Sequence, residues 1–167
     1  PLYSSAASDV YKRQMKTIAE LEKYLEEECY SFYAITIGKH MAPEGFVIKQ
    51  DGQEYIYGYS ERGFLRTIKA SESEEELVNY ALKDLASYKW NRAHLVARMW
   101  SEYDAAEAER ELSRMHIAFE RNDVHNCDME HRRLCRIFVF GRDILRLSDF
   151  KRKYIQDPVY YTHLRAH

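Results

Sequence analysis

Apolar residues recur at spacings of three and four from Ile18 through Leu21 to Leu25, just after the capping pattern Thr17-Ile-Ala-Glu20. That spacing predicts a helix over about 18–29, started by the threonine side chain and the glutamate three residues on. The period then changes. From Ser31 to Ile37 apolar positions alternate, with Tyr33, Ile35 and Ile37 on one face, as in a first strand. Phe46–Gln50, Gln53–Tyr59 and about Phe64–Ala70 read as three more strands. They are separated by the loop Gly38–Gly45, the Asp51-Gly52 hairpin signal and the turn Ser60-Glu-Arg-Gly63. Five of the six glycines fall between residues 38 and 63, so turns are concentrated there. The expected product is a four-stranded antiparallel meander. The acidic run Ser71–Glu76 suits a helix N-terminus, and Leu77, Ala81, Leu85 and Tyr88 share one face of the helix that follows.

No proline occurs between Glu44 and Asp157, and residues from Asn91 onward read as helical. One long segment, Asn91–Arg121, carries the stripe Leu95, Val96, Met99 and Tyr103, which slips to Ala105, Ala108, Leu112, Met115 and Phe119. After a polar break at Asn122–Asn126, a last helix is expected from Met129 to about Tyr154. The fold class is thus α+β: an N-terminal helix, a four-stranded antiparallel meander, a packing helix and a long helical C-terminal extension. The extension folds back or pairs two copies through the Ala105–Phe119 stripe. The domains expected are residues 15–90 and 91–157. The strings SDVYKRQ and YTHLRAH resemble translated sequencing-adapter read-through at the edges of metagenomic gene fragments. Residues 1–14 and 158–167 are therefore expected to be artefactual tails.

Composition narrows the function classes. The 167 residues are 46% hydrophobic and 31% charged, which excludes a disordered chain, a collagen-like repeat and a disulfide-built miniprotein. No apolar run is long enough to span a bilayer, and no secretory signal is visible. A net charge of −2 argues against a general nucleic-acid binder. Cys29, Cys127 and Cys135 read as free thiols of a cytoplasmic protein. No GxSxG, P-loop, GxGxxG or HExxH pattern is present, and the carboxylates read as solvated helix faces. Two weaker groupings remain. His125, Cys127, His131 and Cys135, with His116 upstream, have partial zinc-ligand spacing but no CxxC pair. Cys29 and His40 form a possible thiol–imidazole dyad. Packing roles are favoured for both, so no catalytic residue, metal or cofactor is assigned.

Two surfaces stand out instead. Between Arg132 and Lys153 there are eight basic residues and two acids, and a helical wheel puts Arg132, Arg136, Arg142, Arg146 and Lys153 on one face. Such a row suits a phosphate backbone, but complementarity to acids in the chain or on a partner is favoured. Residues 15–90 carry nine basic and fourteen acidic side chains, a net of −5. The second surface is strand 3, where Tyr55, Tyr57 and Tyr59 alternate onto one face. Tyrosine suits a binding plate, since it offers rigid contact area and a hydroxyl. Glu61, Arg62, Glu72, Glu74 and Glu75 would rim it.

The segment Asp51–Leu85 carries a wider pattern: an aromatic strand ending in Tyr59-Ser-Glu-Arg-Gly63, a short strand, then Ser73-Glu-Glu-Glu76 leading into a helix with Tyr80 and Leu82. Over about residues 16–88 this resembles small immunity proteins of bacterial polymorphic and contact-dependent toxin systems. Val78 and Asn79 stand where that pattern prefers alanine and an acid. The resemblance implies a non-catalytic inhibitor that binds a cognate toxin, for example a nuclease, and blocks its active site or an exosite. Tyr55, Tyr57 and Tyr59 would then be the hot spots and the acids a steering rim.

Overall fold

The structure is a computed structural model and describes residues 13–155. Residues 1–12 and 156–167 lie outside the described residues, and with them the expected tails except Arg13 and Gln14; the Arg13 guanidinium lies 5.1 Å over the Tyr24 ring. The described chain forms two compact units that meet in sequence at Arg92–Ala93.

The first unit opens with α1 (Ile18–Glu27), whose first turn is capped by Thr17 Oγ1 accepting the Glu20 N–H at 3.1 Å. It ends in a left-handed turn at Cys29, φ +53°. There the Cys29 N–H donates to the Glu26 carbonyl and the Tyr30 N–H to the Leu25 carbonyl, which satisfies two terminal carbonyls of the helix. β1 (Ile35–Ile37), β2 (Gly45–Asp51), β3 (Glu54–Glu61) and β4 (Phe64–Ser71) form a sheet in that order. β2, β3 and β4 are antiparallel, but β1 runs parallel to β2, which corrects the all-antiparallel meander. The loop between them explains this. It doubles back along the outer edge of β1, with a bridge from Ile37 to His40 and Thr36 Oγ1 accepting the Ala42 N–H. β2 therefore starts beside Ala34 rather than beside Ile37. Gly45 makes this possible, because at φ +126° a Cβ there would run into the Ala34 carbonyl.

α2 (Glu74–Ser87) is capped by Ser73, whose Oγ accepts the Glu76 N–H at 3.2 Å. α1 and α2 lie on one face of the sheet. Leu21, Leu25, Ile35, Ile37, Ile48, Tyr57, Leu77, Leu82 and Leu85 are fully buried between the layers. Met15 belongs to this core, and its N–H donates to Asn79 Oδ1 at 3.0 Å.

The second unit overturns the expected helical extension. Ala93–Met99 is a strand, β5, and α3 (Glu102–Arg114) is the one long helix among its described residues. β6 (Phe119–Arg121) and β7 (Cys135–Phe140) complete an antiparallel sheet of order β5-β7-β6. A 3-10 turn (Gly141–Arg146) and the short α4 (Ser148–Tyr154) close the unit. The physical reason is visible at the boundaries. Ser101 caps α3 by accepting the Asp104 N–H at 3.2 Å, so the slip in the apolar stripe near Tyr103 is a strand-to-helix junction and not a bend. In β7, Cys135, Ile137 and Val139 alternate inward with half-buried neighbours, a period of two. Ala105, Ala108 and Leu112 are fully buried in this unit's own core, so the stripe is not available for pairing two copies. Among the described residues no helix is long and apolar enough to cross a membrane.

Candidate partner-binding surface

The tyrosine row lies on the helix side of the first sheet. Tyr57 has no exposed surface, and its hydroxyl donates to Asp84 Oδ2 of α2 at 2.7 Å. Its ring stacks on Phe46 (centroids 5.6 Å apart) and meets Tyr80 edge-on at 6.1 Å. Burial, and then the Asp84 carboxylate, push its phenol well above the ordinary range. Tyr57 is thus a core residue that no partner can touch in this conformation. Tyr55 and Tyr59 are half-buried, at opposite ends of the row.

The acids expected around the tyrosines do not form one rim. Glu61 and Arg62 sit at one end of the sheet, while Glu72, Glu74 and Glu75 follow β4 at the other. The eight residues of β4 separate them, about 25 Å at ~3.3 Å per residue. Glu74 is turned inward, where its carboxylate accepts the Ile18 N–H at 2.7 Å. Glu72 and Glu75 are exposed.

What the first unit does present is the β3–β4 hairpin. Arg62 and Gly63 make a two-residue turn with both residues left-handed, φ +50° and +81°, a geometry whose twist matches the flanking strands. The Arg62 N–H donates to Glu44 Oε1 at 3.2 Å, which ties the tip to the β1–β2 loop. Phe64, the first residue after the turn, is 82% exposed, and Leu65 beside it is 39% exposed. With Tyr59, Glu61, Arg62 and Arg66 they line a shallow groove. Leu65 crosses to the other face, over Gly58, where an added Cβ would meet both its Cδ1 at 2.9 Å and the Arg66 carbonyl at 2.7 Å. Sequence reasoning missed Phe64 and Leu65, because it read them only as the start of the fourth strand. The available signal was position: a phenylalanine directly after Arg-Gly rides on a hairpin tip.

The basic residues of the second unit fare differently from expectation. No helix carries Arg132, Arg136, Arg142, Arg146 and Lys153 as a row: Arg136 is in β7, Arg142 and Arg146 are in a 3-10 turn, and Lys153 is in α4. Most are spent internally. Arg132 pairs with Asp128 at 2.6 Å and lies over the Trp100 ring at 4.6 Å. Arg136 donates to the Asn122 carbonyl at 2.7 Å, and Arg146 donates to the Met115 carbonyl at 3.1 Å. Lys153 pairs with Glu111 at 3.0 Å and with Glu107 at 3.4 Å. At the β6 edge Arg121 binds both oxygens of Glu102, at 2.6 and 3.0 Å, and reaches Asp123 at 2.6 Å. Arg133 pairs with the same Glu102. The Arg121 hydrogen bond, reinforced by Arg133, holds the Glu102 carboxyl at about 2.

The sequence's metal grouping is not brought together. Among the described residues two sets of three potential ligands converge, and neither is the His125–Cys127–His131–Cys135 set. Cys127 is exposed while Cys135 is buried. One converging set, Glu102–Asp123–Cys135, already has its carboxylates occupied by Arg121 and Arg133. The other is Glu22–Glu26–His40. There His40 Nε2 lies 2.7 Å from Glu26 Oε1, so the imidazole is engaged by a carboxylate of α1. His116, φ +57°, serves as the left-handed residue that ends α3, as Cys29 does for α1. The chain matches no protein-family model, no curated protein and no solved structure.

Proposed function

We propose that the chain is a non-catalytic protein-binding module acting in the cytoplasm, an immunity protein that neutralises a cognate bacterial toxin, and that it grips the toxin with the β3–β4 hairpin. The observation that carries this reading is Phe64, a large aromatic side chain 82% exposed on a two-residue turn. A partner with a complementary pocket gains from such a ring a rigid anchor with little ordering cost. Tyr59, Leu65 and Arg66 widen the contact, and the Glu44 brace holds it in place. A standard interface of ~1,600 Å² in total would extend beyond the tip onto neighbouring segments. Tyr33 and Met41, 90% and 86% exposed, are suitably placed. Tyr33 precedes Ala34, whose carbonyl accepts the Phe46 N–H, and Met41 precedes Ala42, which is bonded to Thr36. The excess of five acids over residues 15–90 favours a basic toxin, such as a nuclease, by steering.

The test is co-expression with the toxin domain encoded by the neighbouring reading frame. Wild-type chain should co-purify with that domain and protect the host cell. Phe64→Ala should weaken binding ~30-fold, about 2 kcal/mol, without lowering the melting temperature. Tyr57→Phe should leave binding unchanged. Full-strength binding by Phe64→Ala would refute the hairpin as the grip, and a neighbour that is not captured would refute the immunity reading.

A further inference from the structure

The set Glu22–Glu26–His40 joins α1 to the loop after β1, and neither the core nor the proposed binding surface requires it. Glu22 and Glu26 are one helical turn apart on α1, so their carboxylates share a face. His40 is brought to that face by the loop that returns along β1. Nε2 lies 2.7 Å from Glu26 Oε1 and 3.9 Å from Glu22 Oε1, and one ligand atom from each residue falls within 4.8 Å of the others. Ligands held at ~2.1 Å from one tetrahedral cation stand about 3.4 Å apart, between those two separations.

Each group is also held from behind. The His40 ring stacks on Phe32 with centroids 3.6 Å apart and planes 13° from parallel. Glu22 Oε1 accepts the Lys39 N–H at 2.9 Å. Gly38, at φ +54°, leaves space that a side chain would take from the Glu22 carboxylate. Outer contacts of this kind fix ligand orientation at metal sites. A cation already sits against the set: the Lys39 ammonium is 2.7 Å from Glu26 Oε1, on a side chain 70% exposed and free to swing away. With neutral imidazole, two carboxylates and one ammonium leave a net charge of −1. A divalent ion in place of the ammonium brings it to zero and takes one donor atom from each of the three side chains, with an open position for water.

We propose that Glu22, Glu26 and His40 form a binding site for a divalent first-row cation of the zinc type, which displaces Lys39 and clips the β1–β2 loop onto α1. Mixed carboxylate and imidazole donors match that class of ion better than calcium or magnesium. The probe is zinc chloride titrated into the full-length apo-protein, read by calorimetry and by the thermal midpoint. One equivalent should bind and raise the midpoint. His40→Gln and Glu22→Gln should each weaken binding at least ~10-fold. Lys39→Ala should tighten it, a gain that misfolding cannot imitate. Cys127→Ala, which removes the exposed thiol, should change nothing. The proposal is overturned if no binding occurs at ~100 µM zinc, if His40→Gln binds as wild type, or if Lys39→Ala weakens the site. None of these readouts involves the toxin, so the outcome is independent of the immunity reading.

Discussion

Tyr57→Phe isolates one interior bond from everything around it. The substitution keeps the ring, and with it the stacking on Phe46 and the edge contact with Tyr80. It removes only the hydroxyl that donates to Asp84 at 2.7 Å. A hydrogen bond to an ionised acceptor contributes about 1.5–3 kcal/mol net. Asp84 is half-buried, so water can return to its carboxylate in the variant, which favours the lower end of that range. The expected loss is about 1.5–2 kcal/mol, or about 1 M in the urea midpoint for a unit of this size. Because the chain has two units, the transition should be followed through a probe in the first one alone. Trp90 serves, with Trp100→Phe as background. Asp84→Asn completes a double-mutant cycle that should return a coupling of at least ~1 kcal/mol. A loss below ~0.5 kcal/mol for Tyr57→Phe, or a cycle that closes with no coupling, would refute the assignment of stability to this bond.

Cys29 and His116 both hold left-handed backbone at helix ends, where a β-carbon is strained and glycine is not. Cys29→Gly and His116→Gly should each stabilise the protein by about 0.5–1 kcal/mol, visible as a rise of a few degrees in thermal melts. The Arg121–Glu102 pair gives the second unit an acid-sensitive contact. Its carboxyl titrates at about 2 in the folded protein and near 4.5 ordinarily. The pair's contribution is therefore complete above pH 4.5 and disappears as pH falls toward 2. Melts of wild type and Glu102→Gln should differ by no more than about 1 kcal/mol, since Glu102 is half exposed. That gap should close over the same pH window and shrink in 0.5 M salt, a condition chosen to screen the pair.

The first unit was largely legible because its signals are local. Thr17 and Ser73 cap the helices that their side chains predict, and glycines mark the sheet's turns. The Asp51-Gly52 signal located a real hairpin, although the two turn residues are Gly52 and Gln53, enclosed by the Asp51–Glu54 pair. The orientation of β1 was not legible, since it depends on where a seven-residue loop lies and not on any residue's preference. The second unit was misread for a related reason. Ala93–Met99 contains leucine, alanine, arginine and methionine, all good helix formers, and becomes a strand only by pairing with β7. Sheet pairing across some forty residues overrides local propensity. The clue that was present is Cys135-Arg-Ile-Phe-Val-Phe140, rich in β-branched and aromatic residues in strict alternation. The tyrosine row was correctly placed on one face. The error was to suppose that face free, because the pleat fixes which side chains point together but not which layer covers them.

Strand β4 is the outermost lane of its sheet, and among the described residues nothing is laddered to its far side. The opposite border is shielded by the chain's own returning loop. Arg66 and Lys69 punctuate β4, and the irregularity opposite Tyr57 and Gly58 breaks its straightness midway. Bare strands of this kind invite identical molecules to zip together, and interposed cations with a kink are how such zipping is discouraged. This border of the sheet is therefore a poor template for a further strand.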